Sequence, residues 1–309
     1  MIYLDYNATA PCAPEVVEAM LPCFGTVFGN PASLHPYGRS AALAVRRAAM
    51  ATAELIGALP EQILFTSCAT EGNNHVVRNA PPEGEIVISN AEHASLYAPV
   101  RQHGHMRCVA PRVGEILGAV GPQTVLVALN LANHETGELL PEPETLYPVL
   151  RERGVALHFD ATQAVGRIPV DVRRIGCDTM AFSAHKLYGP KGVGVLFVRN
   201  PDKFAPLLLG GGQQEGLRAG TLNVSGIVGM GKAAELAMEK GCPSPALRDR
   251  FEALIAASGA AHKIVAADRP RRPQTSCILF PGQDGATLVD LLGEAGVAVS
   301  SGSACSGGG

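Results

Sequence analysis

The sequence predicts an α/β fold, a mainly parallel sheet covered by helices, and three observations carry that expectation. Short apolar runs of β character alternate with stretches of helical period, at residues 63–67, 85–89, 124–129, 155–159, 178–183 and 192–198. That alternation is the signature of βαβ units. Each of the first five runs is followed by polar residues, at the strand ends where an open α/β sheet binds its ligands. The fifth run leads into Ser183, Ala184, His185 and Lys186, which sets one lysine between two buried strands in glycine-rich backbone.

Taken in order, the first run opens into Ser67, Cys68, Ala69 and Thr70, and the second into Asn90 and His93. The third is followed by Asn130, Asn133 and His134, and the fourth by Asp160 and Gln163. These groups should converge on one crevice. Beyond Gly231 the texture changes to alanine-rich helical stretches around 233–240 and 247–257, then to a Pro/Arg-rich connector at 269–273. This assigns residues 16–231 to a large domain, and residues 1–15 with 232–309 to a smaller α+β domain.

Composition narrows the function. The 309 residues are 47% hydrophobic and 17% charged, ample for a large core. Twenty-five Lys and Arg against 28 Asp and Glu leave a net charge of -3, with no electrostatic footprint for nucleic acid or an anionic membrane. A small-molecule substrate is expected. Eight cysteines are scattered with no Cys-x-x-Cys pair, which argues against a zinc site or a disulfide framework. The first residues lack the basic and apolar regions of a secretory signal, and no apolar run is long enough to cross a bilayer. A reducing cytoplasm is the default compartment.

The turn at Ser67, Ala69 and Thr70 offers backbone N–H groups at a helix start, a natural phosphate seat, although the same residue types also serve as plain helix caps. Ser183 and His185 add phosphate contacts beside the lysine. Asp160 closes a buried strand, where a carboxylate needs a donor or cation; a protonated pyridine nitrogen meets that need, and so does a structural cap or ion pair. Phosphate seat, lysine and carboxylate together are the parts that hold pyridoxal 5'-phosphate, with Lys186 for the Schiff base and Asp160 for the pyridinium. His93 suits ring stacking and proton transfer or a hydrogen-bonded core position. Gln163 suits the phenolic oxygen or a structural amide bond. Cys305 lies in a Ser/Gly-rich stretch, either as a nucleophile beside the cofactor or as an incidental tail thiol.

These residues resemble the NifS/IscS-type cysteine desulfurases, class V aminotransferases of fold type I. The matching segments are 3–9, 28–35, 65–71, 92–93, 133–137, 158–166, the Lys186 stretch, 210–221 and 300–305, in family order across nearly the whole chain. The resemblance implies a fold-type I transferase with a mainly parallel, seven-stranded sheet, and a homodimer that converts L-cysteine to L-alanine. It implies Lys186 as Schiff-base lysine and proton carrier, His93 as ring-stacking acid/base, Asp160 on the pyridine nitrogen and Gln163 near the phenolate oxygen. Ala69, Thr70, Ser183 and His185 are implied at the phosphate, and Thr221 at the phosphate of the neighbouring subunit. Asn7 and His134 are implied at the substrate. Cys305 is implied as the persulfide-forming nucleophile, which passes sulfur to an acceptor or iron-sulfur scaffold protein.

Two departures shape the expectation. His134 stands where the family usually repeats asparagine before Glu-Thr-Gly. The small domain is expected to be incomplete relative to the family, lacking the arginine implied to clamp the substrate carboxylate. A catalytically impaired pyridoxal-phosphate fold serving as a scaffold or partner subunit therefore stands as an alternative, as does a selenocysteine lyase.

Overall fold

Buried β-branched and aromatic runs build the sheet, and amphipathic or alanine-rich stretches build the helices laid on it. The structure, a computed structural model, describes residues 1–302. A short strand β1 (Ile2–Tyr3) is followed by helices α1 (Pro14–Met20) and α2 (Pro36–Ile56). Strand β2 (Ile63–Thr66), helix α3 (Ala69–Asn79), β3 (Glu85–Ser89), α4 (Ala94–His103), β4 (Met106–Val109), α5 (Val113–Ala119) and β5 (Thr124–Asn130) come next. Then follow α6 (Leu146–Glu152), β6 (Ala156–Asp160), α7 (Val172–Ile175), β7 (Thr179–Ser183), β8 (Gly194–Val198) and α8 (Val224–Lys240). The remaining elements are α9 (Ala246–Ala257), β9 (Lys263–Ile264), β10 (Ile278–Leu279), α10 (Gly285–Glu294) and β11 (Val297–Ala298).

Seven strands form one sheet in the order β2-β8-β7-β6-β5-β3-β4. Only β8 runs against its neighbours, antiparallel to both β2 and β7, so the other six point the same way. Their carboxyl ends therefore share one edge, the edge where the polar residues that follow the strands are expected. The edge strand β4 is one that the sequence reading leaves out. It alternates poorly and carries Arg107 and the exposed Cys108, so nothing in its composition separates it from a loop.

Side chains alternate between the two faces of the sheet. Val87, Leu129, Phe159, Phe182 and Phe197 face one layer, with Val16 of α1, Ile56 of α2, Leu150 of α6 and Met230 of α8. Ile86, Ile88, Ala128, Ala181 and Leu196 face the other, with Val76 of α3 and Leu96 of α4. Each large apolar side chain buried there contributes about 1.5–3 kcal/mol. Because Phe159 points to the first layer, its neighbours His158 and Asp160 must point to the second, toward α3.

Two close approaches lock this frame. A Cβ at Gly231 would stand 2.6 Å from Ala48 Cα, so α8 lies directly against α2. Helix α8 runs unbroken through Gly231, the position at which sequence texture places the domain boundary. A Cβ at Gly194 would stand 2.6 Å from the Cα and carbonyl carbon of Cys68, so the start of β8 fixes the turn into α3 backbone to backbone.

The C-terminal elements are more loosely covered: neither α9 nor α10 has a fully buried residue. Strand β1 pairs in parallel with β11, and β9 pairs antiparallel with β10. The Pro/Arg-rich stretch at 269–273 is not a free connector. Its backbone docks on the loop after β5, with Leu139 N–H donating to Pro270 O at 2.9 Å and Arg272 N–H to Gly137 O at 2.7 Å.

Candidate active site

A cavity of about 200 Å³ opens at the shared strand edge, bounded by Lys186, Asp160, His93, Thr70 and Ser183 among others. Lys186 sits in the single 3-10 turn that follows β7. Its Nζ donates to Ala8 O at 2.8 Å and also to Asn7 O. The backbone beneath it is held by Arg167, buried to 3% exposure, whose Nε donates to Lys186 O at 3.2 Å. Arg167 also stacks 5.3 Å above the Tyr188 ring, and Tyr188 occupies left-handed backbone space at φ 64°.

Asp160 forms the opposite wall at the end of β6. Its Oδ1 accepts from Thr162 N–H at 2.9 Å and its Oδ2 from Asn73 Nδ2 at 2.8 Å, which leaves acceptor capacity on both oxygens. His158, two residues earlier on the same face, is fully buried between Thr179 Oγ1 at 2.9 Å and Asn73 Oδ1 at 3.0 Å. Burial pushes its pKa down to about 4, so the ring is neutral.

The third wall is the amino end of α3. Ala69 N–H donates to Ser183 Oγ at 2.8 Å, and Thr70 is exposed beside it. N–H groups in a first helical turn have no intrahelical acceptor, so this end of α3 favours an anion. Glu71 anchors the turn from behind, accepting from Ser67 N–H at 2.7 Å and pairing with Arg218 at 2.9 Å. Burial works against its charge, but the bonds from Arg218 and Ser67 prevail and hold its pKa below the ordinary value. His185 closes this side with Nδ1 3.1 Å from Thr9 Oγ1, and burial followed by Lys186 and Lys191 pushes its pKa down to about 4.

His93 and His134 form the roof, their rings 5.0 Å apart and nearly perpendicular. His93 caps α4: its Nδ1 accepts from Ser95 N–H at 3.1 Å and lies 2.8 Å from Ser95 Oγ. Both imidazoles are held below their ordinary pKa, mainly by burial, with a smaller contribution from the Lys186 charge. Preceding His93 is Glu92, which accepts from Ser89 Oγ and from Asn130 Nδ2. Burial pushes its carboxyl up to about 8 from 4.5.

The sign of that shift gives a prediction. Between pH 4.5 and 8 the folded chain keeps a proton on Glu92 that the unfolded chain has lost, so stability from this group falls as pH rises through the window. Glu92→Gln is expected to raise stability at pH 8.5 by roughly 1–3 kcal/mol and to leave it nearly unchanged at pH 4. Urea unfolding at the two pH values reads the difference. An equal effect at both would remove Glu92 as the cause.

Several sequence-predicted residues take unexpected partners. The Gln163 amide donates from Nε2 to Asn7 O at 3.0 Å and accepts at Oε1 from Arg272. The Asn7 side chain donates to His134 O at 3.2 Å and accepts at Oδ1 from Arg272. Thr221 is exposed and outside the cavity lining. Its loop is pinned to the sheet by Gln214, which accepts from Phe65 N–H at 2.7 Å and donates to Phe65 O at 2.9 Å. Ser300 and Gly302 reach the cavity, whereas Cys305 lies outside the described residues.

The sequence reading missed Asn73, Ser95, Arg167 and Arg272. Arg272 is the clearest omission, only 1% exposed and bonded to Asn7, Gln163 and Thr275. Its position after Arg269, Pro270 and Arg271 reads as linker, and no local pattern shows that this arginine reaches Asn7 and Gln163. Among the described residues no cluster of His, Cys, Asp and Glu is arranged to hold a metal ion, and no helix is long and apolar enough to cross a membrane.

Known proteins resemble this chain over nearly its whole length. Residues 2–307 match the family model of the class-V aminotransferases. A cysteine desulfurase of Cereibacter sphaeroides is 42% identical over 330 aligned residues, covering 99% of this chain and 84% of the relative. A solved NifS-like protein superposes with a TM-score of 0.88 at 31% identity, over 96% of this chain and 86% of that one. The structure of SspA in complex with cysteine gives 0.85 at 29% identity, over 99% and 90%. At this identity across nearly its whole length, the chain belongs to the class-V aminotransferase family and groups with its cysteine desulfurases.

Proposed function

We propose that the chain is a pyridoxal 5'-phosphate-dependent cysteine desulfurase, which takes sulfur from L-cysteine onto Cys305 as a persulfide and releases L-alanine. One observation carries the reading: the Lys186 amine, the Asp160 carboxylate and the amino end of α3 border a single cavity. The residues fit this cofactor. Thr162 Oγ1, on the cavity wall, is buried with no hydrogen-bond partner among the described residues, and a buried hydroxyl in that state calls for a ligand.

The bound cofactor supplies an electron sink for the carbon beside the substrate amine. Lys186 would be the point of covalent attachment and the residue that carries the proton at that carbon. Asp160 would accept from the pyridine nitrogen with the capacity that Asn73 and Thr162 leave. Ala69, Thr70, Ser183 and His185 would hold the phosphate, His93 would face the ring, and Gln163 would offer an amide hydrogen to the phenolic oxygen. Asn7 and His134 border the substrate. The Cys305 thiolate attacks the substrate sulfur, an S–S bond forms as the bond from sulfur to the substrate's Cβ breaks, Cβ takes the electron pair and a proton, and Lys186 returns the proton to Cα to complete alanine.

The same proposal includes a homodimer in which Thr221, lying outside its own cavity, serves the partner's phosphate. Phe24, Phe28 and Leu34 supply apolar surface for that contact, at 70%, 62% and 87% exposure. Residues 16–231 act as the large unit and residues 1–15 with 232–309 as the small one, with α8 carrying the junction. The described cysteines are all free, which supports a reducing cytoplasm, where an iron-sulfur scaffold or another acceptor takes the sulfur.

The test is alanine and sulfide release from L-cysteine with a thiol reductant, beside the same assay with selenocysteine. Cys305→Ser should lose sulfur transfer. Cofactor binding with alanine at background, and a copurifying protein, would instead favour a scaffold subunit.

A further inference from the structure

We infer that Asn73 is a positioning residue of this site, and that the network it organises makes His93 a hydrogen donor through Nε2. The significance for catalysis rests on the proposed desulfurase reading; the proton positions do not. Alternation along β6 puts His158 and Asp160 on the face that α3 covers, and Asn73, one turn into α3, is fully buried against both. Its Nδ2 lies 2.8 Å from Asp160 Oδ2 and 2.9 Å from Ser95 Oγ, and its Oδ1 lies 3.0 Å from His158 Nε2.

The directions follow from what each group can donate. A carboxylate accepts, so the Asn73 amide nitrogen faces Asp160 and spends its second hydrogen on Ser95 Oγ. The amide oxygen then faces His158, which must donate from Nε2 and accept at Nδ1 from Thr179 Oγ1. Ser95 N–H can only donate and points at His93 Nδ1 at 3.1 Å, so that nitrogen is an acceptor, and Ser95 Oγ, which accepts from Asn73, must give its own hydrogen in the 2.8 Å contact with the same nitrogen. An imidazole nitrogen that receives two donors carries no hydrogen. The neutral His93 ring therefore holds its proton on Nε2.

This separates two roles. The basic nitrogen of His93 is taken up by the cap of α4, so proton removal from the substrate falls to Lys186. Cap and relay share one atom: protonating Nδ1 would deprive Ser95 N–H of its acceptor. Asn73 thereby ties the orientation of the Asp160 carboxylate to the tautomer of the histidine across the cavity.

The experiment is nitrogen NMR of the cofactor-free chain labelled with 15N-histidine, at neutral pH, with His93→Gln and His158→Gln to assign the signals. Both rings are expected as Nε2–H tautomers, and hydrogen on Nδ1 of either would overturn the inference. In Asn73→Leu, His158 should become a mixture of tautomers and the His93 Nδ1 resonance should shift. If that variant does not fold, Ser95→Ala removes one of the two donors to Nδ1 and should move the same resonance toward its unbonded value. An unchanged His93 signal in the variant that folds would sink the proposal. None of these readouts uses cofactor or L-cysteine, so they fail or succeed apart from the alanine-release assay.

Discussion

Lys186→Ala is expected to reduce alanine release from L-cysteine by about a thousandfold or more, equivalent to ~4 kcal/mol on the barrier. The amine is delivered into the cavity by a turn whose backbone Arg167 clamps, and Asn7 and Ala8 hold it with their carbonyls. No other lysine borders the cavity among the described residues. Lys186→Arg should not rescue the rate, because a guanidinium stays protonated and is no nucleophile. Borohydride treatment of the cofactor-loaded chain, followed by digestion and mass spectrometry, should place a pyridoxyl group on residue 186 and nowhere else. A variant within tenfold of the parent rate would defeat the assignment.

Arg272→Met should produce the largest loss of stability. The substitution keeps an apolar stem but strips the donors from Asn7 Oδ1, the Gln163 carbonyl and amide oxygens, and Thr275 Oγ1. Each buried acceptor left unsatisfied costs about 1–3 kcal/mol. Relief of a buried cation offsets part of that: burial, with Arg167 adding to it, already pushes the guanidinium pKa down to about 9. The expected net change is about 2–4 kcal/mol, a fall in melting temperature of roughly 3–6 °C. Cofactor affinity should weaken as well, because Asn7 and Gln163 lose their common anchor. Calorimetry and a cofactor titration measure the two effects. A melting temperature unchanged within a degree would show that the acceptors find other partners.

The sheet and the edge carrying the site were legible because burial on both faces writes continuous apolar runs, and the residues after each run must then share one side. Lys186, Asp160 and Ser183 could be read in this way. Strand β4 could not, since an edge strand is covered on fewer sides and needs no apolar run. Asn73 and Arg272 were hidden for a different reason. A buried polar residue is recognisable only by its partners, and His158, Asp160, Asn7 and Gln163 lie far from them in sequence. Gln163 shows the converse. Its place beside the cavity was foreseen, but its amide engages the N-terminal segment and the Arg272 stretch, neither of which any local pattern around it announces.

The pairing of β1 with β11 has a practical consequence for handling the protein. Residues 2–4 are stitched to 296–298 by backbone bonds, Ser300 Oγ donates to Asp5 Oδ1 at 2.9 Å, and the next few residues supply the carbonyls that receive the Lys186 amine. An affinity tag joined ahead of Met1, which is 94% exposed, should be harmless. Protease trimming that removes the first eight residues would at once unfasten the last described strand and take two carbonyl acceptors from the Lys186 amine, so intact mass belongs among the quality checks on every preparation.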